Sequence, residues 1–259
     1  MDINFKQPRH PELINNYFSD DLIMAIVPTR SSGKSLFNLV TNKEYNLHGF
    51  ADPANFDLTN QLGGKANSCL AENALGYQIN DFTGTSIKSV IAVFTMGEDS
   101  GYSRGAVLSC DTDKWLGFND DGFLVITAWN GSLTFTANES SLIWANYKFP
   151  HACGYIVRAS DHRLYQNGVY LGNDTSSVSF TSTAVSAMGV GVLGYNTRGL
   201  NLFGLFVWNK YFNDDEMKFL TTYPFHLVRE RSSKIYSYIS STASPIVSTP
   251  EKTFLSFML

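Results

Sequence analysis

Charged side chains are scarce in this sequence, at 16% of 259 residues, against roughly a quarter in a typical soluble domain. The 19 Lys+Arg residues are outnumbered by 23 Asp+Glu, the formal charge is −4, and no run of basic residues occurs. This balance argues against nucleic-acid binding. Long apolar runs are also missing: Leu22–Val27 has the length of a strand, whereas a membrane-spanning helix needs about 20 residues. We therefore expect no membrane insertion. The first 18 residues lack the basic flank and apolar core of a signal peptide, so we expect no cleaved signal.

Linear motifs of metal sites are missing as well. Three cysteines, Cys69, Cys110 and Cys153, are too few and too widely spaced for a disulfide framework or a zinc site, and we expect them to be buried free thiols. The sequence has no H-E-x-x-H motif. We predict no cofactor, with one alternative open: a calcium ion bound by acids that cluster in turns.

Aromatic residues and turn formers are what the sequence has in abundance. Aromatics make up 14% of the chain, glycines number 20, and Ser, Thr and Asn together account for 67 residues. Short runs of β-branched or aromatic residues recur about every ten residues between turn formers, without helical periods in between. The clearest predicted strands are Ile87–Thr95, Ala106–Cys110, Phe123–Trp129, Leu133–Ala137, Tyr155–Ala159, Val169–Gly172, Val178–Thr181 and Leu200–Trp208. This pattern predicts an all-β sandwich.

Local signals predict two hairpins and one helix. Asn119–Gly122 separates two of the strands, and Asn167-Gly168 supplies the two positive φ angles of a type I′ turn before Val169. Asn213 and Glu216 have the spacing of a capping box, and Pro224 ends the helix that follows. We expect this short helix to lie at one edge of the sandwich.

The composition divides the chain into three parts. Residues 1–20 are polar and proline-marked and are predicted to form an extended lead-in. Residues 21–231 hold the sandwich. Residues 232–259 are rich in Ser, Thr and Pro with small apolar clusters, which indicates a C-terminal arm that docks on another surface.

Exposed aromatic side chains are the candidates for a ligand site. Trp208 lies in a strand that is apolar on both faces and is assigned to the core. Trp129 ends a strand beside an Asn-Gly turn and is a candidate for stacking on a sugar. With it we place Tyr102 and Asp120, which lie in neighbouring loops, as candidate glycan contacts.

Three segments together resemble a known family: residues 10–49, 155–181 and 202–228. They contain an opening His-Pro, the hairpin Arg163–Val169 and a closing Val-Trp-Asn-Lys segment at 207–210, which Pro224 and Phe225 follow. The chain thereby resembles the laminin G-like, concanavalin A-like lectin/glucanase domains of bacteriophages and prophages. The resemblance implies a jelly roll of two antiparallel sheets with one short edge helix near the C-terminus. The hydrolase branch of that superfamily has a Glu-x-Asp-x-x-Glu strand, which is absent here, so the resemblance implies the binding or structural branch.

These observations lead to three hypotheses. The first is a non-enzymatic virion protein of a tailed phage, on capsid or tail, with the terminal arms contacting neighbouring virion subunits. The arm side chains expected to make those contacts are Tyr236, Tyr238, Phe254 and Phe257, and a homo-oligomer is open. The second is recognition of host surface glycans through Tyr102, Asp120 and Trp129. The third is a glycan hydrolase whose acids come together only on folding.

Overall fold

The computed structural model describes residues 7–30, 34–47, 56–61, 64–69, 76–96, 105–110, 114–118, 124–128, 133–136, 149–175, 180–181, 183–188 and 200–231. In chain order its strands are β1 Pro11–Leu13, β2 Leu22–Ile26, β3 Ser35–Asn38, β4 Lys43–Asn46, β5 Phe56–Gln61, β6 Gly64–Cys69, β7 Tyr77–Ile79, β8 Ser89–Met96, β9 Gly105–Cys110, β10 Lys114–Phe118, β11 Leu124–Ala128, β12 Leu133–Thr136, β13 His151–Ile156, β14 His162–Gln166, β15 Val169–Asp174, β16 Val185–Ala187, β17 Leu200–Trp208 and β18 Val228–Glu230. The α-helix is α1, Asp214–Thr222. Within the described residues, no helix is long and apolar enough to cross a membrane.

Two antiparallel sheets form the predicted concanavalin A-like jelly-roll sandwich. The larger sheet has ten strands, eight of them in the order β15-β14-β13-β8-β17-β2-β3-β4, with β6 pairing to β17 and β5 to β6. The smaller sheet has the order β12-β11-β10-β9-β16-β7. Apolar side chains from both sheets, among them Met24, Phe94, Leu116 and Leu205, form the interior between them. Strands β1 and β18 pair separately.

The central strand β17 contains a bulge and contributes side chains to two apolar clusters, one on each face of the sheet. All nine of its residues are buried. Leu202 and Leu205 both face the interior between the sheets. They are three positions apart, and in a regular strand residues an odd number of positions apart lie on opposite faces. The register against β8 shifts between Leu202 and Gly204, so Phe203 is an extra residue and the alternation changes phase. Phe206 and Trp208 consequently point to the outer face, where they join a second apolar cluster.

Helix α1 covers that second cluster on the outer face of the ten-stranded sheet. Its capping box is confirmed: Asn213 Oδ1 accepts from the Glu216 N–H at 2.9 Å, and Glu216 Oε2 accepts from the Asn213 N–H at 2.7 Å. The buried stripe of Met217, Leu220 and Thr221 packs on the sheet. The helix comes close to β13 at a glycine, because a Cβ on Gly154 would lie 2.7 Å from Thr221 Cγ2.

The Asn-Gly hairpin between β14 and β15 is also confirmed. Asn167 has φ 50° and Gly168 has φ 83°, and the Gly168 N–H donates to the Thr221 hydroxyl at 3.1 Å, which ties the turn to the helix. Strands β10 and β11 pair as the other hairpin requires, while its turn at 119–122 lies outside the described residues. Cys110 and Cys153 are buried free thiols, and Trp208 is fully buried, both as expected.

Several strand predictions were wrong in position. Strand β13 begins at His151 and ends at Ile156, earlier than the predicted Tyr155–Ala159. Phe180 and Thr181 are not in a strand. Strands β4, β5, β6, β7 and β16 were not predicted at all. The polar runs of β5 and β6, FDLTNQ and GKANSC, show that pairing with neighbours overrode weak intrinsic strand preference.

Candidate functional site

An open pocket of about 210 Å³ lies at one end of the ten-stranded sheet, beside the N-terminus of α1. We call it the Tyr211 pocket. The chain reaches it from three places: the end of β13, the turn into β14, and the segment between β17 and the helix. Its lining residues are Ile156, Arg158, Asp161, Arg163, Tyr211, Phe212 and Asn213.

A buried serine holds the segment that presents Tyr211. The Ser89 hydroxyl donates to the Lys210 carbonyl at 2.7 Å and accepts from the Phe212 N–H at 3.3 Å. The Phe212 ring is buried in the cluster under α1 and packs edge-on against Trp208, with 5.2 Å between the ring centres. Because the residues on both sides are fixed, the Tyr211 ring between them points outward and keeps 36% of its surface exposed.

Arg163 is the centre of the polar floor of the pocket. Its Nε and Nη2 donate to the two carboxylate oxygens of Asp161 at 2.9 and 2.7 Å, a bidentate pair. Its Nη1 donates to Asp214 Oδ1 at 2.6 Å, and the Tyr165 hydroxyl donates to the same oxygen at 2.6 Å. The network joins the start of β14 to the first turn of α1, so it fixes where the helix begins.

These contacts set the charge states of the floor. Hydrogen bonding from Arg163 lowers the pKa of Asp161, and hydrogen bonding from Tyr165 and then Arg163 lowers that of Asp214. Burial, followed by the bond to Asp214, raises the pKa of Tyr165. A glycosidase acid must keep its proton near neutral pH, which requires a raised carboxyl pKa. Both carboxyls here are ionised at neutral pH, so the floor can accept hydrogen bonds from ligand hydroxyls.

Arg158 forms the wall next to Tyr211. A tight turn with Ser160 at φ 69° follows it, and the Asp161 N–H donates to the Arg158 carbonyl at 2.9 Å. The guanidinium carbon lies 4.4 Å from the centre of the Tyr211 ring, a cation–π contact. Its closest carboxylate contact, to Asp161 Oδ2, is 3.7 Å long, and the Arg158 side chain is 47% exposed. Arg158 therefore keeps donors for a ligand.

No group of three or more His, Cys, Asp or Glu side chains that could hold a metal ion occurs in the part of the chain that the structure describes. The described residues therefore provide no site for the calcium ion of the alternative prediction. Most of the turn acids behind that alternative lie outside the described residues: Glu98, Asp99, Asp111, Asp113, Asp120 and Asp121. The others, Asp214, Asp215 and Glu216, form the first turn of α1.

The candidate glycan contacts predicted from the sequence, Tyr102, Asp120 and Trp129, lie outside the described residues, as do the arm residues Tyr236, Tyr238, Phe254 and Phe257. They remain predictions. Sequence reasoning recognised Arg163 and Asn213, but as parts of a hairpin and a helix cap. Tyr211 was missed, although an aromatic two residues before a strong N-cap and three after a core tryptophan is a detectable signal.

The fold was compared with known proteins. No protein-family model and no curated protein sequence matches the chain. Among solved structures, Trypanosoma rangeli sialidase in complex with sialic acid matches 78% of this chain at TM-score 0.57 and 10% identity. Domain 4 of AbnA, an extracellular GH43 arabinanase from Geobacillus stearothermophilus in complex with arabinotriose, matches 78% of this chain and 98% of its own at TM-score 0.57 and 13% identity. The chain spans about a third of the length of the sialidases it matches. At these identities the likeness establishes the sandwich fold.

One sequence-based prediction is corrected by this comparison. The protein was expected not to be an enzyme, but its sandwich is found within glycan hydrolases, a sialidase and an arabinanase. The expectation rested on the absence of a linear acidic motif. Such an absence is weak ground, because folding brings catalytic groups together from distant parts of a chain, and one fold serves many functions.

Proposed function

We propose that this protein is a carbohydrate-binding β-sandwich and that the Tyr211 pocket is its glycan site. The observation that carries the proposal is an exposed tyrosine ring at a small pocket whose other walls are guanidinium, carboxylate and amide groups. A sugar offers an apolar C–H face to an aromatic ring and hydroxyls to fixed hydrogen-bonding groups. The pocket is smaller than the roughly 300–1,000 Å³ of drug-sized ligand sites, which suits one sugar residue.

The polar floor supports the proposal because it is already organised. Arg163 and Asp161 hold each other bidentately, so neither must lose much side-chain freedom when a ligand hydroxyl bonds to their remaining acceptor and donor positions. The likeness to the arabinanase domain, whose structure contains arabinotriose, agrees with a glycan ligand for this sandwich.

A titration with two matched variants tests the proposal. Isothermal calorimetry against a panel of oligosaccharides is expected to give saturable binding for at least one glycan. Tyr211→Ala should weaken that binding at least tenfold. Tyr223→Ala removes a ring that is 58% exposed at the far end of α1 and should leave it unchanged. Absence of saturable binding at millimolar sugar, or equal effects of the two variants, would overturn the assignment.

The setting that we propose for this binding is the surface of a tailed-phage particle. It is supported by the resemblance to phage-type laminin G-like domains, and the arms at residues 1–20 and 232–259 would make the contacts with other virion proteins. Deletion of residues 232–259 is expected to prevent incorporation into particles while circular dichroism still reports the folded sandwich. Normal incorporation of the truncated protein would contradict the anchoring role.

A further inference from the structure

Two cations lie at the exposed ring of the Tyr211 pocket, and a third belongs to the residue before Tyr211. We call the three the cationic rim: Lys88, Arg158 and Lys210. Lys88 Nζ lies 5.5 Å from the centre of the Tyr211 ring, and the Arg158 guanidinium lies 4.4 Å from it. Lys210 Nζ lies 3.8 Å from the centre of the neighbouring Tyr17 ring.

Two of the three rim cations are not paired with a carboxylate in the described part of the chain, whereas Arg158 lies 3.7 Å from Asp161 Oδ2. Among the residues that the structure describes, Lys88 and Lys210 form no ion pair, and Lys88 donates to the Asn209 carbonyl at 3.3 Å instead. Asp161 and Asp214 are already bound to Arg163. Glu216 already accepts from the Tyr17 hydroxyl at 2.6 Å and from the helix cap.

Aromatic contacts hold the rim cations in place without cancelling their charge. A cation over a ring is attracted by the ring quadrupole, which carries no net charge. Tyr211 and Tyr17 stay 36% and 56% exposed beside these cations. The result is a surface on which fixed positive groups alternate with accessible ring area.

We propose that the glycan bound by the Tyr211 pocket is an acidic one, whose sugar carboxylate lies among Lys88, Arg158 and Lys210 while its ring packs on Tyr211. This inference rests on the proposed function, because it names the ligand class of the same site. A neutral sugar would leave Lys88 and Lys210 without a carboxylate partner among the described residues. A carboxylate accepts charge-assisted hydrogen bonds from a guanidinium and ammonium groups.

Charge-matched sugar pairs test the inference. Trigalacturonate is titrated against its full methyl ester, and sialyllactose against lactose, each by calorimetry with the full chain. The acidic member of a pair is expected to bind at least tenfold more tightly, with affinity that falls as salt is raised. Lys88→Gln and Lys210→Gln should each lower the affinity for the acidic ligand by about 2- to 5-fold, which is the range of an exposed ion pair. Neither variant should change the affinity for the neutral ligand.

Lys34→Gln is the matched control. Lys34 is exposed just before β3, and it lies at the opposite end of the sheet from the pocket. Strand β2 runs away from the pocket from Leu22, and the antiparallel β3 returns from Ser35 towards Asn38, which pairs with Ile26. This variant should change neither affinity nor salt dependence. Thermal unfolding of all three lysine variants should match that of the unmodified protein.

The outcomes separate the two proposals. Binding that depends on Tyr211 but is equal for acid and ester overturns the acidic ligand and leaves the glycan site standing. Preference for the acid that survives both rim variants overturns the assignment of Lys88 and Lys210. Failure of every sugar to bind, or binding indifferent to Tyr211→Ala, overturns both proposals.

Discussion

Replacement of Arg163 by methionine is the most direct test of the polar floor. The variant removes three hydrogen bonds of 2.6–2.9 Å to two carboxylates and keeps most of the apolar stem. Bonds to charged groups contribute about 1.5–3 kcal/mol each when well shielded, and exposed pairs contribute about 0–1 kcal/mol. Arg163 is 30% exposed, and its partners Asp161 and Asp214 are 23% and 43% exposed. Because both pairs are partly exposed, we assign about 1 kcal/mol to each of the two carboxylates and expect a loss of about 2 kcal/mol in the free energy of unfolding.

The pH dependence of that loss identifies its cause. The folded-state pKa values of Asp161 and Asp214 are lowered from about 3.9 in the unfolded chain. Their contribution is fully present above the unfolded value and is lost as pH falls through the folded values. Urea unfolding at pH 7 should show the full difference between the unmodified protein and Arg163→Met, and the difference should shrink below about pH 4. A difference that stays constant down to pH 2.5 would refute the electrostatic explanation.

Arg158→Met provides the control for that experiment. Arg158 has the same charge, belongs to the same pocket and is 47% exposed, with its carboxylate contact at 3.7 Å. Its removal should cost less than about 1 kcal/mol at any pH, while glycan binding should weaken. A loss as large as that of Arg163→Met would mean that the short bonds are not what stabilises the floor.

Three further predictions follow from the segments that position the pocket. Asn213→Ala should lower the free energy of unfolding by about 1 kcal/mol through loss of the N-cap, whereas Asp215→Ala at a side chain 97% exposed should change it by less than half as much in the same urea titration. Gly154→Val should destabilise the protein by about 1–3 kcal/mol, because the new atoms meet the helix at under 3 Å; an unchanged thermal midpoint would show that α1 can move away. Burial raises the pKa of Cys153, so its thiol should resist alkylation at pH 8 in the folded protein and react in urea, as read by peptide mass mapping; rapid labelling of the folded protein would contradict its burial.

Elements defined by local hydrogen bonds could be predicted from the sequence. The capping box at Asn213 and the turn at Asn167-Gly168 depend on residues a few positions apart, and the structure has both. The buried strand Leu200–Trp208 was recognised because its side chains are apolar on both faces. In these cases the residue type and the conformation are linked within one short segment.

Features that depend on distant partners could not be predicted. Tyr211 is exposed because Ser89, more than a hundred residues earlier, holds the backbone on both sides of it. Arg163 reaches Asp214 across 51 positions, so a hairpin motif and a helix cap become one polar floor only when the helix docks. The short strands β7 and β16 are recognisable only through their pairing with each other and, for β16, with β9.

The extra residue in β17 makes the length of that strand as important as its composition. Deleting Phe203 would remove the bulge and keep Leu200 and Leu202 facing the sandwich interior, whereas straightening the strand with all nine residues retained would turn them towards the opposite side. A second inserted residue, or a deletion outside the bulge, would misplace half of the molecule's central strand, whereas an apolar replacement would disturb only its immediate neighbours. The middle of the larger sheet should therefore accept changes of side chain far more readily than changes in residue number.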